Sequence, residues 1–386
     1  MPPRLSRCYA RRNGTDATAT LVMICPARVI ESARHRDPLG MDGNWTMNRL
    51  LNLACLLGII TSLQSSVSVL ADTSAQNVPM LPAAVDSFGA AEHEGWLYVC
   101  GGHQGQPAEQ SGKHLSRRFV RCDLDNPSTW EALPLDKPLH SLALVSSGKH
   151  LYRIGGQGLA DPEKADGPLR SLSDFLRFDP HTNEWTALPS LPSARSSHDA
   201  IAADGKIYVV GGWNFNNDKV EDWHDAALVF DTNKGATTQE ETAAWESLPI
   251  PGFRRRNLAV TTWQNYIWAI GGKDDHDVIH RTVFYYDPHR GYWSEGPELP
   301  AKVEGLQGYG VAAWGLESGL YVCGADGVLY RLSSIYGNWE PAAELRVQRY
   351  CHRLLPEGRN SLLALAGYSV SFGQTSTVER IKVYSP

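Results

Sequence analysis

The chain has 386 residues, a formal net charge of −6 and a sequence that is 42% hydrophobic and 20% charged. That is the composition of a folded globular protein and excludes a disordered or collagen-like one. No long basic stretch is present, which excludes a general nucleic-acid-coating role.

In chain order, residues 1–46 are Arg-rich and precede the first apolar run, and they read as an over-long gene start or a disordered extension. Residues 47–71, MNRLLNLACLLGIITSLQSSVSVLA, have the form of a secretory signal peptide: Arg49, an apolar run from Leu50, and Val69-Leu70-Ala71 before a cleavage point at Asp72. The run is shorter than the ~20 apolar residues that a membrane span requires. Export to a periplasmic or extracellular location, with no membrane insertion after cleavage, is the expectation. Residues 72–386 carry 28 Lys and Arg against 38 Asp and Glu, a net −10.

From Gln76 onward one unit recurs. The segments LYVCGG (97–102), LYRIGG (151–156), IYVVGG (207–212), IWAIGG (267–272), LYVCGA (320–325) and LLALAG (362–367) are aliphatic and aromatic runs that end on small residues. Such runs read as buried strands ending where another backbone approaches closely. A second set, including FLRFDP (175–180) and VFYYDP (283–288), ends in Asp-Pro or Asp-Thr turns. A third strand position is marked by Trp130, Trp185, Trp245, Trp293 and Trp339, followed in most units by a Leu-Pro exit. Adding the strand that precedes each di-glycine strand gives four antiparallel strands per unit. Six units predict an all-β, six-bladed propeller over residues 72–386 as a single domain. The sixth unit has no Trp strand, and Gln76 to Pro82 (QNVPMLP) matches the Leu-Pro exit. An N-terminal strand in the last blade is therefore expected to close the ring.

These units resemble kelch repeats, whose marks are the di-glycine after an aliphatic-Tyr strand and a Tyr and Trp further on. The resemblance covers essentially all of residues 76–386. It implies the propeller fold and says little about activity, because sites are grafted onto folds.

Candidate site residues come from two places. The starts of the inner strands converge on the central channel and carry His140, Arg195, His198, Arg255, Arg256, Asn257, Tyr309, Arg349 and His352. Several cations in an acidic protein would focus an anionic ligand, such as a carboxylate or sulfate on a sugar. The bland reading is that these side chains fill the channel and bond to loop carbonyls, and three successive Arg (254–256) cannot all point inward. The loops that leave the di-glycine strands add Trp213 and Trp223, which can stack on a sugar or peptide or pack beneath the loop. The His- and Asp-rich loop 273–281 has neither HExxH nor EF-hand spacing, so no metal or cofactor is expected. Cys100 and Cys122 sit on neighbouring strands of the first unit, where a disulfide and two buried thiols both remain open.

No nucleophile motif or triad can be assigned by spacing. The first functional expectation is therefore a secreted binding or interaction module, with a protein or carbohydrate ligand at the channel mouth. Some exported six-bladed kelch proteins are similar in size and act as sialic acid epimerases (mutarotases). That resemblance implies an acid and a base near the mouth, for which His140, His198, His352 and Glu304 are the candidates.

Overall fold

The computed structural model describes residues 78–383, apart from 108, 110, 218, 235–244 and 302–306. The signal-like segment 47–71, Glu304, and Gln76 and Asn77 of the expected closing strand lie outside these residues.

Six antiparallel sheets radiate from one axis. Blade one runs from the axis outward as Gly89–His93, Trp96–Cys100, Phe119–Asp123 and Glu131–Leu133. Blades two to five repeat this order, with inner strands Ala143–Ser147, Asp199–Ala203, Ala259–Trp263 and Ala312–Leu316. Blade six has three strands: Arg353–Pro356, Ser361–Leu365 and Val378–Lys382. The core is divided into layers between adjacent blades. Ile154 and Phe175 of blade two, for example, pack on Ile207, Val209 and Phe230 of blade three.

Two sets of backbone hydrogen bonds join the blades. The second glycine of each intact di-glycine donates to the next blade, as in Gly212 N–H to the Arg255 carbonyl at 2.7 Å. The first glycine must be glycine. At φ 71° a Cβ on Gly211 would lie 2.5 Å from that same carbonyl oxygen. The second set is a closed circle. Ser141 N–H donates to Ser87 C=O, Ser197 to Ser141, Asn257 to Ser197, Gly310 to Asn257, Cys351 to Gly310, and Ser87 to Cys351, all at 2.5–3.1 Å. All six residues are left-handed, with φ between 50° and 60°. Blade six is thus bonded to blade one as any blade is to its neighbour, and Phe88 and Val99 pack on Leu363 and Leu365 across the seam.

The N-terminal segment has a defined part in the seam. Val78, Leu81 and Val85 are buried against blades one and six. Leu81 N–H donates to Ser376 C=O at 2.8 Å, but Val78–Pro82 form no strand. The outer tryptophans explain what this segment does. Trp185, Trp245, Trp293 and Trp339 donate through Nε1–H to the carbonyls of Pro134, Pro189, Pro249 and Pro297, each in the exit of the preceding blade. Trp130 donates to Pro79 at 3.0 Å. Pro79 therefore occupies the exit position of blade six.

All four described cysteines are free thiols. Cys100 pairs with Phe119 and Cys122 with Leu97, so strand alternation puts the two sulfurs on opposite faces of blade one, in different core layers. This overturns the disulfide alternative. The long loops also do what the sequence did not foretell. Those of blades two and three unite with Leu139–His140 in a second, five-stranded sheet lying over one face of the propeller.

Candidate functional site at the channel mouth

In chain order, the residues entering the inner strands form the triplets Asp86-Ser87-Phe88, His140-Ser141-Leu142, Ser196-Ser197-His198, Arg256-Asn257-Leu258, Tyr309-Gly310-Val311 and Tyr350-Cys351-His352. The middle residue of each lies in the hydrogen-bonded circle. The first residue rises toward the loop face, and the third drops between blades. This periodicity decides which side chains can meet.

Above the circle lies a cup of about 210 Å³ whose lining includes Asp86, His103, His140, Trp213, Arg256, Tyr309, Tyr350 and Tyr368. Its floor is Ser87, Ser141, Ser197, Asn257 and Cys351. Arg256 is its centre of charge. The guanidinium stands 4.3 Å from the Trp213 ring centroid and 5.9 Å from that of Tyr309. It donates to Asn257 Oδ1 at 2.9 Å and to the Tyr309 hydroxyl at 3.3 Å. No carboxylate among the described residues lies within ion-pair distance of it, and its buried Nε has no partner. The buried Trp213 Nε1 and His140 Nε2 are also unpartnered. Three tyrosines continue the aromatic wall, with ring centroids 5.9 Å apart for Tyr309 and Tyr350 and 5.5 Å for Tyr350 and Tyr368.

The opposite wall is ionic. His103 Nδ1 lies 3.7 Å from Asp86 Oδ2, and its Nε2 lies 3.0 Å from the Glu109 carbonyl. Burial disfavours the imidazolium, but Asp86 and the Glu109 carbonyl together outweigh it and raise the His103 pKa. Gln374 of blade six donates to Asp86 at 3.0 Å. His140 is pushed down to about 3, chiefly by burial and then by His103, so it is neutral at pH 7. Burial pushes the Tyr309 phenol up to about 12.

The structure thus brings together His140, Trp213, Arg256, Asn257 and Tyr309 of the expected residues. The others are elsewhere. Arg195, Arg255 and Arg349 stand two residues before the circle and turn into their own blades. Each clasps the carbonyl of the first di-glycine position, Gly211, Gly271 or Ala366, and a carbonyl at the start of the third strand, Ala226, Thr282 or Thr377. Arg349 is also paired with Glu379. The run 254–256 therefore splits three ways: Arg254 to solvent beside Asp225, Arg255 into the clasp, Arg256 into the cup. His198 and His352 fill the inter-blade slot that holds Phe88, Leu142, Leu258 and Val311 elsewhere. Burial drives both imidazoles down, His352 to about 3 and His198 well below its ordinary value. Trp223 packs on Trp213 from outside, with ring centroids 5.4 Å apart. In loop 273–281, Asp274 is used within the loop by His280 and by two backbone N–H groups.

Asp86, His103 and Tyr368 were not singled out from the sequence. Asp86 holds the place in its triplet that His140 and Arg256 hold in theirs, and that alignment is the signal. His103 and Tyr368 stand two residues beyond the first di-glycine position, as Trp213 does.

Below the circle the channel narrows to a void of about 40 Å³. Arg353 of blade six then crosses the axis. It bonds Asp199 of blade three at 2.6 Å, the Phe88 carbonyl at 2.9 Å and the Leu142 carbonyl at 3.2 Å, and Asp199 accepts the Val260 N–H at 2.8 Å. A separate cavity of about 240 Å³ opens beneath this pair.

Comparison with known proteins places these features in context. Residues 83–324 match the model of the KLHDC2/KLHL20/DRC7 Kelch-repeats domain. Kelch-like protein 35 of Mus musculus is 28% identical over 198 residues, which is 50% of this chain and 29% of that protein. Kelch-like protein terF of Aspergillus terreus is 25% identical over 250 residues, 64% of this chain and 51% of that one. The chain spans at most about half the length of these curated relatives. The solved structure of YjhT superposes with a TM-score of 0.64 at 19% identity, over 79% of this chain and 97% of that one, a likeness of fold.

Proposed function

The chain belongs to the kelch-repeat family, and from that premise we propose that it is an interaction module whose ligand is anionic and sits in the cup on Arg256. A kelch-repeat interaction module is the coarse identity. The cup is the finer reading. One observation carries it: Arg256 is fixed between Trp213 and Tyr309 with no carboxylate partner among the described residues. A half-buried cation with no carboxylate in ion-pair contact is costly, and an anion entering the cup supplies that contact. The unpartnered Trp213 and His140 nitrogens support the same reading, since buried polar atoms require bonds. A carbohydrate acid and an acidic protein segment both meet the requirement. Proton transfer of the mutarotase type retains only His140 of its three histidines in the cup, so binding without turnover is the reading adopted.

The test is a thermal-shift panel of sugar acids and acidic peptides on the wild-type protein, on Arg256→Ala and on Arg255→Ala. A stabilising ligand should lose its effect in Arg256→Ala and keep it in Arg255→Ala, whose clasp lies outside the cup. A shift that survives Arg256→Ala would refute the proposal. Export through residues 47–71 belongs to the same proposal, and a mature N-terminus other than Asp72 would count against it.

A further inference from the structure

The cavity of about 240 Å³ below the Arg353–Asp199 pair lies on the propeller axis, toward the face opposite the loop sheet. Strand register dictates what it offers. The second residues of the six inner strands are Ala90, Leu144, Ala200, Val260, Ala313 and Leu354, and all six line it. In an antiparallel pair, alternate residues turn both backbone groups away from the partner strand. Val260 shows that the second residue is such a one, because its N–H bonds to the Asp199 side chain. Blade one has the same phase. The two-residue turn at Glu94-Gly95, left-handed at both positions, makes His93 and Trp96 a hydrogen-bonded pair and leaves Ala90 facing the axis. The N–H and C=O groups of all six strands therefore converge on one level of the cavity. The six residues are buried. Apart from the Val260 N–H, these groups have no partner among the described residues. Buried backbone groups require one.

Two further observations define the chemistry of an occupant. The first is Trp314, at the third position of its inner strand, where the other blades carry Ala91, Val145, Ile201, Thr261 and Leu355. Its partly exposed indole lines the cavity and packs on the core layers between blades three and four, five and six, and six and one. A side chain of blade five reaches all three only by lying across the axis, so it presents an aromatic surface to the cavity. The second is charge. Arg353 spends Nε on Phe88, one terminal nitrogen on Asp199 and the other on Leu142. The one carboxylate at the rim, Glu92, adds negative charge. An acid thus finds no free cation here. We infer that this cavity is a second binding site, for a neutral, planar, fused-ring heteroaromatic with hydrogen-bond donors and acceptors on its perimeter. The ring of strand-edge groups supplies the complementary acceptors and donors, and Trp314 supplies the stacking surface. The size agrees, since a cavity of about 150 Å³ accommodates benzene. The inference is independent of the reading of the cup, because the circle and Arg353 separate the two spaces.

The experiment is fluorine NMR on the full chain labelled with 5-fluorotryptophan and titrated with defined probes. Trp314→Phe and Trp213→Phe assign the two resonances that matter. 4-Quinazolinone and hypoxanthine should shift the Trp314 resonance saturably and leave that of Trp213, in the cup, unmoved. N3-methyl-4-quinazolinone, which lacks the ring N–H, should bind about tenfold more weakly. 2-Naphthoate, also a fused two-ring molecule but anionic, should leave Trp314 unmoved. Ala202→Phe narrows the partly exposed rim and should abolish the shift, whereas Arg256→Ala should preserve it. Thr262→Phe, also at the rim, provides the same block if Ala202→Phe does not fold. A Trp314 resonance that neither neutral probe moves overturns the inference. So does 2-naphthoate binding as tightly as 4-quinazolinone, or a shift that persists in the rim variant. A shift confined to Trp213 also overturns it, and places the probe in the cup instead.

Discussion

Replacing His352 by Leu tests whether the buried histidines are scaffold. His352 is 3% exposed, neither ring nitrogen has a partner, and four other blades hold an apolar residue in its slot. At neutral pH the substitution removes two unsatisfied buried atoms, worth about 1–3 kcal/mol if left unpaired. Against this stands a packing change that for near-isosteric swaps costs under about 1.5 kcal/mol. His352→Leu should therefore be as stable as the wild type at pH 7.5, or more so. The pH dependence makes the test sharper. Burial, and then Arg349 and Arg353, depress this imidazole from 6.5 to about 3 in the folded protein. A depressed folded pKa means that the unfolded chain binds the proton first. The stability contributed by the neutral ring is fully present above 6.5 and is lost as pH falls toward 3. One unit below the unfolded pKa, at pH 5.5, the loss is about 1 kcal/mol. Urea unfolding midpoints at pH 7.5 and 5.5 should show the variant losing about that much less than the wild type on acidification. A variant that is destabilised by several kcal/mol at pH 7.5, or that loses as much stability at pH 5.5 as the wild type, would refute the assignment.

Three further outcomes follow from the same geometry. Asp199→Ala strands the Arg353 guanidinium and the Val260 N–H, and should cost about 3–5 kcal/mol in chemical denaturation. The double change to Leu at 199 and 353 should recover much of that, and no recovery would show that the pair acts independently. Beginning the chain at Ala83 removes buried Val78 and Leu81, the Trp130–Pro79 bond and the Leu81–Ser376 bond. At about 1.5–3 kcal/mol per side chain and about 1 kcal/mol per hydrogen bond, thermal unfolding should fall well below that of the full chain. An unchanged midpoint would deny the segment any part in the seam. Ser197→Gly relieves a left-handed φ of 54°, worth about 1–2 kcal/mol against about 0.5–1 kcal/mol of glycine entropy. It should be neutral or slightly stabilising, whereas Ser197→Val should destabilise, and equal stabilities would show that the circle is unstrained.

The blades were legible because each strand repeats a local pattern of aliphatic run, di-glycine, Asp-Pro turn and Trp. The clasp and the cup were harder to separate because they differ by one residue. Arg255 and Arg256 are neighbours in sequence, yet one feeds the Gly271 carbonyl and the other the cup. Only the left-handed turn at Asn257, with φ 52°, fixes which is which, and a single sequence does not announce it. His198 misled for the opposite reason. A polar residue at a channel-facing end reads as functional, whereas its alignment with Leu142 and Leu258 marks an apolar slot. The loop sheet was illegible because its strands pair between blades. Trp213 and Trp223 face each other across a hairpin whose other edge meets Arg170 of the blade before.

The position of the site follows from a problem that every propeller must solve. Inner strands present one unpaired edge to the axis, and six such edges converge there. In this chain the upper end is sealed by the circle from Ser87 to Cys351, which uses one N–H and one C=O from each blade. Further down, Arg353 and Asp199 take up the carbonyls of Phe88 and Leu142 and the N–H of Val260. The axis is thereby closed to through-passage. What remains open to a ligand on the loop face is the space above the circle, where the residue preceding the left-handed turn is directed in five of the six blades. Those five are Asp, His, Arg and two Tyr, whereas Ser196 of blade three is buried and bonded to Ser171. The same turns that satisfy the backbone at the axis thus raise a ring of chemically varied side chains around one mouth. Function can diverge at those five positions without disturbing the closure beneath them.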